Sequence, residues 1–178
     1  QIPDFLGEVV PLIAAFGHGQ IATIHVKEDE QGDQQLQMLA AAFAEHNLYD
    51  KAILFDLTLE TAAKVRVLDP RICIFISVGE ERFAPSIYLW EDLADHSELY
   101  DGVWWDEWKT PGSEYTAERA AEILAAGKTL YVISPELHTV HGHPHAQSGY
   151  EQDWRNFIAW GAHGICTAHP RQLRELLG

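Results

Sequence analysis

Four histidines fall at positions 138, 141, 143 and 145, inside the stretch YVISPELHTVHGHPH that spans residues 131–145. Glu136 stands two residues before the first of them. Imidazole beside carboxylate is the pairing that moves protons near neutral pH. Imidazoles two or three residues apart can also chelate Zn²⁺ or Ni²⁺ from a loop. No cysteine adjoins the cluster and the chain contains no HExxH motif, so a solvated loop that takes up such metals adventitiously competes with a dedicated site. Glu136 and His138 follow the apolar run directly and are expected at the rim of a site. His141, His143 and His145 are expected on an exposed loop, turned outward by Gly142 and Pro144.

Other apolar runs end in similar chemistry. IATIHVK carries His25 and Lys27, with Glu28 next. Period-two alternation puts His25 and Lys27 on one face of a strand. If that face is interior, the lysine needs a partner or a substrate anion. AILFD ends at Asp56, ICIFISV runs into Gly79-Glu80-Glu81-Arg82, GVWWDE ends in Trp105-Asp106-Glu107, and GICTA leads to Thr167 and His169. Trp104 and Trp105 point to opposite faces, and Trp105 is the candidate ligand contact. Polar residues after strands are common in any such fold, so Asp56 or Glu80 alone carries little. Converging on one rim, these groups could do acid/base work or hold a hard cation.

The elements that would position them are six short strands rich in β-branched and aromatic residues, at 21–27, 52–56, 72–78, 102–107, 129–134 and 164–168. Their near-continuous hydrophobicity suits parallel strands covered on both faces. Helical spacing groups Leu36, Leu39, Ala40 and Phe43; then Ala117, Ala120, Ala121 and Leu124; then Tyr150, Trp154, Phe157 and Ile158. Thr116 reads as an N-cap, Gly127 as a helix stop, and Pro170 as a first-turn residue. The segment from Pro3 to Phe16 reads as a helix bent or started late at Pro11. A helix followed by six β/α pairs means a parallel α/β sheet, and it resembles a (β/α)₈ barrel lacking its first quarter. No glycine-rich phosphate loop follows a strand. No long linker or repeat appears, so residues 1–178 read as a single, partial domain.

The chain has 178 residues, 47% of them hydrophobic, which excludes general disorder. Its formal charge of −15, without a basic cluster, argues against nucleic acid and anionic membrane surfaces as partners. No window is apolar enough to span a bilayer, and no signal peptide is visible. Cys73 and Cys166, both in apolar runs, read as buried thiols of a reducing compartment, hence a cytoplasmic location. The first residue is Gln1, as in a processed, trimmed or partial chain.

The series FDLT, GVWWDEW, GKTLYVISPELH and WGAHGICTAHPRQLREL resembles the glycerophosphodiester phosphodiesterase family, in a bacterial branch with a serine-proline-glutamate-leucine-histidine signature. The likeness covers nearly the whole chain. It implies a TIM-barrel phosphodiesterase with a divalent cation, Mg²⁺ or Ca²⁺, and two histidines as general acid and base. By order, the six strands correspond to the family's third to eighth. IATIHVK occupies the place of a glutamate-x-lysine pair, so Lys27 matches and His25 replaces the glutamate. The resemblance thus implies Lys27 and His25 as catalytic candidates, with Lys27 neutralising a phosphate oxygen. Trp105, Asp106, Glu136 and His138 would bind the alcohol side of the substrate. The departures are specific. The family's histidine-arginine-glycine motif, its glutamate-x-aspartate metal pair and its second catalytic histidine are not in this sequence, and Ala168 replaces an aspartate. The metal ligands are therefore unknown.

Two readings follow. In one, the chain is a partial or degenerate phosphoric diester hydrolase, with a small phosphodiester or lipid headgroup as substrate and little activity alone. In the other it is a non-catalytic module. Its open strand edges would then pair in a homodimer, or with a partner segment that completes the barrel.

Overall fold

The computed structural model of the chain describes residues 4–178. The strands are β1 (Ala22–His25), β2 (Ala52–Phe55), β3 (Cys73–Val78), β4 (Ile87–Tyr88), β5 (Gly102–Trp105), β6 (Thr129–Ile133) and β7 (Gly164–Cys166). The helices are α1 (Val10–Ala14), α2 (Asp33–His46), α3 (Leu59–Leu68), α4 (Ala117–Ala125), α5 (Tyr150–Ala159) and α6 (Pro170–Leu177). Six strands follow one another in the order β1-β2-β3-β5-β6-β7, with β4 beside β3. They pair in parallel, as near-continuous apolar runs require when both faces are covered. The chain is thus an α/β protein with an incomplete, TIM-barrel-like (β/α) fold.

Local chemistry sets the helix ends. Thr58 and Thr116 cap α3 and α4, each hydroxyl accepting the backbone N–H three residues on, at 3.1 Å. Gly127, at φ 74°, reverses the chain after α4 where other residues would be strained. Pro170 opens α6, and Pro11 sits in the first turn of α1 behind one wide turn, Phe5–Val9. Pro3, where the sequence reading began that helix, lies outside the described residues.

Three details differ from the sequence reading. No α-helix follows β3; that place is taken by β4 and a 3₁₀ stretch, Trp90–Leu99, kinked at His96. A two-residue strand gives no periodicity to read. In α4 the buried residues are Ala120 and Ile123, while Ala117 and Ala121 are exposed. Alanine is too small to fix which side of a helix faces inward. Cys73 and Cys166 are free thiols, but half-buried rather than buried.

The chain forms two compact units. The first comprises residues 4–76 with His96–Asp101; the second comprises Ser77–Asp95 with Gly102–Gly178. The first is built around Leu36, Phe43, Leu48, Leu54, Leu57 and Val65, all buried. Arg66 ties it together by donating to the carbonyls of Pro70, Ile72 and Leu99 and to Asp101. The second unit is built around Trp105, Ile123, Val132, Trp154 and Phe157. There Gly79 is required by packing, because a Cβ on it would lie 2.2 Å from the ring of Trp108. Among the described residues no helix is long and apolar enough to cross a membrane.

Candidate functional site

In the first unit the register of β1 on β2 places His25 beside Phe55, so Asp56 comes one residue beyond the pair. His25 Nε2 lies 2.6 Å from Asp56 Oδ2, and its ring stacks on Phe55 at 4.8 Å between centroids. Asp56 adopts φ 64°, a left-handed conformation that a short polar side chain tolerates. Gln31 clamps the two strand ends. Its amide donates to the carbonyls of Val26 (3.0 Å) and Asp56 (2.8 Å), and its oxygen accepts the N–H of Thr58. Lys27 lies two residues beyond the end of β1, and it is exposed like His25. The lysine is therefore not a buried cation in need of a counter-charge. His25 and Lys27 both line a cavity of about 440 Å³, together with Phe5, Leu6, Glu30 and Met38.

In the second unit Trp105 pairs with Val132, and Asp106 is the next residue. The short helical turn Pro135–His138 after β6 brings His138 back over it, with His138 Nε2 2.6 Å from Asp106 Oδ1. The other ring nitrogen, Nδ1, faces His141 Nδ1 at 3.3 Å. Tyr115 donates its hydroxyl to the Ile133 carbonyl and stands 3.5 Å from Asp106 Oδ1. Burial pushes its phenol well above the ordinary range, and the Asp106 carboxylate adds to the effect.

Two acids missed as organisers hold the loop after β5. Glu107, 1% exposed, accepts backbone N–H groups from Gly112 (3.0 Å), Glu114 (2.8 Å) and Tyr115 (2.9 Å). Glu80 accepts those of Trp108, Lys109 and Thr110, and the Ser113 hydroxyl. Glu136 is also buried. Ser134 and Thr167 donate their hydroxyls to it and Ala168 its N–H, while Ser134 accepts the indole N–H of Trp154. It therefore fastens the ends of β6 and β7 and does not present a free carboxylate. Trp105, expected to touch ligand, has no exposed surface. Its indole N–H points to Glu114 at 3.2 Å and its ring packs edge-on against Tyr115. The expectation for the histidine loop also needs correction. His141 is exposed and His145 half-buried, but His143 is only 4% exposed. His143 Nδ1 accepts the His145 N–H, so its proton sits on Nε2, 3.4 Å from Glu107. An internal acid able to draw a histidine inward leaves no mark in a histidine-rich sequence.

The residues present do not fit the hard cation that the family resemblance implies. Among the described residues no group of three or more His, Cys, Asp or Glu is placed to hold a metal. Glu107, Glu136, Asp106 and Asp56 are each engaged by donors of the protein itself, as given above. The catalytic candidates His25 and Lys27 lie in the first unit; Trp105, Asp106, Glu136 and His138 lie in the second.

No family model and no curated protein matches the sequence. Solved structures do. One, from Galdieria sulphuraria and assigned as a glycerophosphodiester phosphodiesterase, aligns over 99% of this chain and 64% of its own, with a TM-score of 0.70 and 14% identity. A second, from Silicibacter pomeroyi DSS-3 and assigned as a glycerophosphoryl diester phosphodiesterase, aligns over 97% of this chain and 55% of its own, with a TM-score of 0.64 and 16% identity. The chain thus spans about three-fifths of the length of these structures, and at such identity the likeness is one of fold. The chain therefore shares the fold of the glycerophosphodiester phosphodiesterases that its sequence resembles.

Proposed function

We propose that the chain is a single, partial glycerophosphodiester phosphodiesterase-like domain, a phosphoric diester hydrolase of the cytoplasm with little activity by itself. Fold alone does not carry function. The observation that carries this reading is a histidine held by a carboxylate at a strand's carboxyl end in each unit, His25–Asp56 and His138–Asp106. Barrel enzymes of this class place their chemistry at strand carboxyl ends. A carboxylate on one ring nitrogen fixes the tautomer and leaves the other nitrogen to take or give a proton. Lys27, which lines the same cavity as His25, supplies a point charge for a phosphate oxygen. In the second unit Asp106 and His138 offer a proton-handling pair of their own, with Trp105 and Glu136 setting their positions from within. The low activity follows from the motifs that the 178 residues lack.

The test uses glycerophosphocholine with the purified chain. Saturable binding is expected, weakened at least tenfold by Lys27→Ala, with release of glycerol phosphate near the buffer rate. Absence of binding sinks the phosphodiester reading. Rapid release that survives Lys27→Ala shows the chemistry to lie elsewhere.

A specific feature favours the second reading, an interaction module. β1 stands first in the strand order, with β2 as its one strand partner among the described residues. The cavity beside it is lined by the exposed apolar side chains Phe5, Leu6 and Met38. An unpaired edge next to apolar surface invites a second copy or a completing segment. A dimer by light scattering, lost on placing a lysine at Thr23 in β1, supports it; a monomer at high concentration removes the homodimer.

A further inference from the structure

We infer that His138 and His141 form a two-imidazole site for a divalent transition metal of the zinc, nickel and copper class, with Asp106 orienting His138 from behind. The geometry supplies the argument. Two nitrogens bound to one ion at about 2.0–2.1 Å with a tetrahedral angle stand about 3.3–3.4 Å apart. The two Nδ1 atoms stand 3.3 Å apart.

The tautomer is right as well. His138 Nε2 faces Asp106 Oδ1 at 2.6 Å, so the ring proton resides there and the Nδ1 lone pair is turned toward His141 Nδ1, whose proton an ion between the two rings would displace. A carboxylate behind a histidine is the usual support for a metal-binding imidazole, fixing the ring and raising its basicity. The backbone is prepared too. The His138 carbonyl accepts N–H groups from His141 (3.1 Å), Gly142 (3.1 Å) and His143 (3.3 Å), and Gly142 takes φ 78°. This turn fixes the three-residue spacing between the two rings. His138 is buried and His141 exposed, so the bound ion would complete its coordination with water on the open side.

The remaining histidines of the loop are engaged elsewhere. His143 is occupied at both nitrogens, and His145 Nδ1 lies 2.8 Å from Asp153. The nearby carboxylates Glu107 and Glu136 are occupied by protein donors. Imidazole pairs favour zinc, nickel and copper, whereas Mg²⁺ and Ca²⁺ need oxygen donors that this pair does not offer. The inference does not rest on the hydrolase reading: an ion on His138 Nδ1 occupies the nitrogen to which that reading gives the proton, so the two uses exclude each other at this residue.

The experiment is calorimetric titration of the untagged full chain with Zn²⁺ and Ni²⁺, with Mg²⁺ and Ca²⁺ as comparisons. One ion per chain is expected. His141→Ala, an exposed change that leaves the melting temperature in place, should weaken binding at least tenfold. Asp106→Asn should weaken it by about 10–100-fold. His145→Ala should leave it unchanged. Loss of affinity in His145→Ala equal to that in His141→Ala would make this adventitious chelation by a histidine-rich loop and overturn the inference. So would the absence of saturable one-to-one binding, or binding of Mg²⁺ with equal affinity.

Discussion

Replacing Glu107 by glutamine changes one atom and tests whether this carboxylate holds the loop that follows β5. Its Oε2 accepts two backbone N–H groups, from Glu114 and Tyr115, and Oε1 accepts a third from Gly112 and faces His143 Nε2. A glutamine must turn its NH₂ toward one of these sets. The less damaging choice is Oε1, which leaves the Gly112 N–H facing a donor and removes the acceptor for His143. The exposed Gly112 N–H turns to water, while the buried His143 donor left without a partner costs about 1–3 kcal/mol. The two bonds that survive change from charge-assisted to neutral, losing about 1 kcal/mol more between them. The sum is about 2–4 kcal/mol, a large share of the roughly 5–15 kcal/mol typical of a native chain. With a urea slope near 2 kcal/mol/M, the unfolding midpoint should fall by about 1–2 M at unchanged slope. Urea titration followed by tryptophan fluorescence reads this, since Trp105 and Trp108 flank the residue. A midpoint shift below about 0.3 M would refute the account, because a solvated carboxylate would behave that way.

Further outcomes follow from the same contacts. Glu136→Gln should cost a similar 2–4 kcal/mol in a thermal or urea melt, because it leaves a donor facing the Ala168 N–H or the Ser134 hydroxyl. Gly79→Ala should destabilise by about 1–3 kcal/mol by driving a methyl into the Trp108 ring, and a normal melting temperature would contradict that packing. The Cys73 thiol is pushed up to about 12 by burial, with the Asp101 charge adding to it, so it should resist aromatic disulfide reagents at pH 8 until urea exposes it. The unfolded thiol loses its proton near pH 9 while the folded one keeps it, so its contribution to stability falls from pH 9 toward 12, and Cys73→Ala should flatten that limb. Asp69 is held well below the usual carboxylate range, first by hydrogen bonds from Arg71. That contribution is present above about pH 4 and lost as pH falls, so Asp69→Asn should flatten the acid limb of the stability curve.

The sequence by itself determined the things that local chemistry decides. Apolar runs bounded by Gly, Pro and Asp specified six parallel strands, and Thr116, Gly127 and Pro170 marked helix ends where capping geometry needs them. The polar residues that end each strand were legible for the same reason, since chain direction alone puts His25 at the end of its apolar stretch and Asp56, Asp106 and His138 beyond theirs. Which acid meets which histidine was not legible. His138 finds Asp106 across 32 positions because β5 and β6 pair with Trp105 beside Val132, and a one-residue slip would turn Asp106 to the other face. Nor did the pattern separate His143 from His141. Their difference lies in Glu107, a residue 36 positions from His143 that offers an interior acceptor to one ring and none to the other. Burial of a polar side chain depends on a partner brought by folding, and sequence spacing records only the neighbours along the chain.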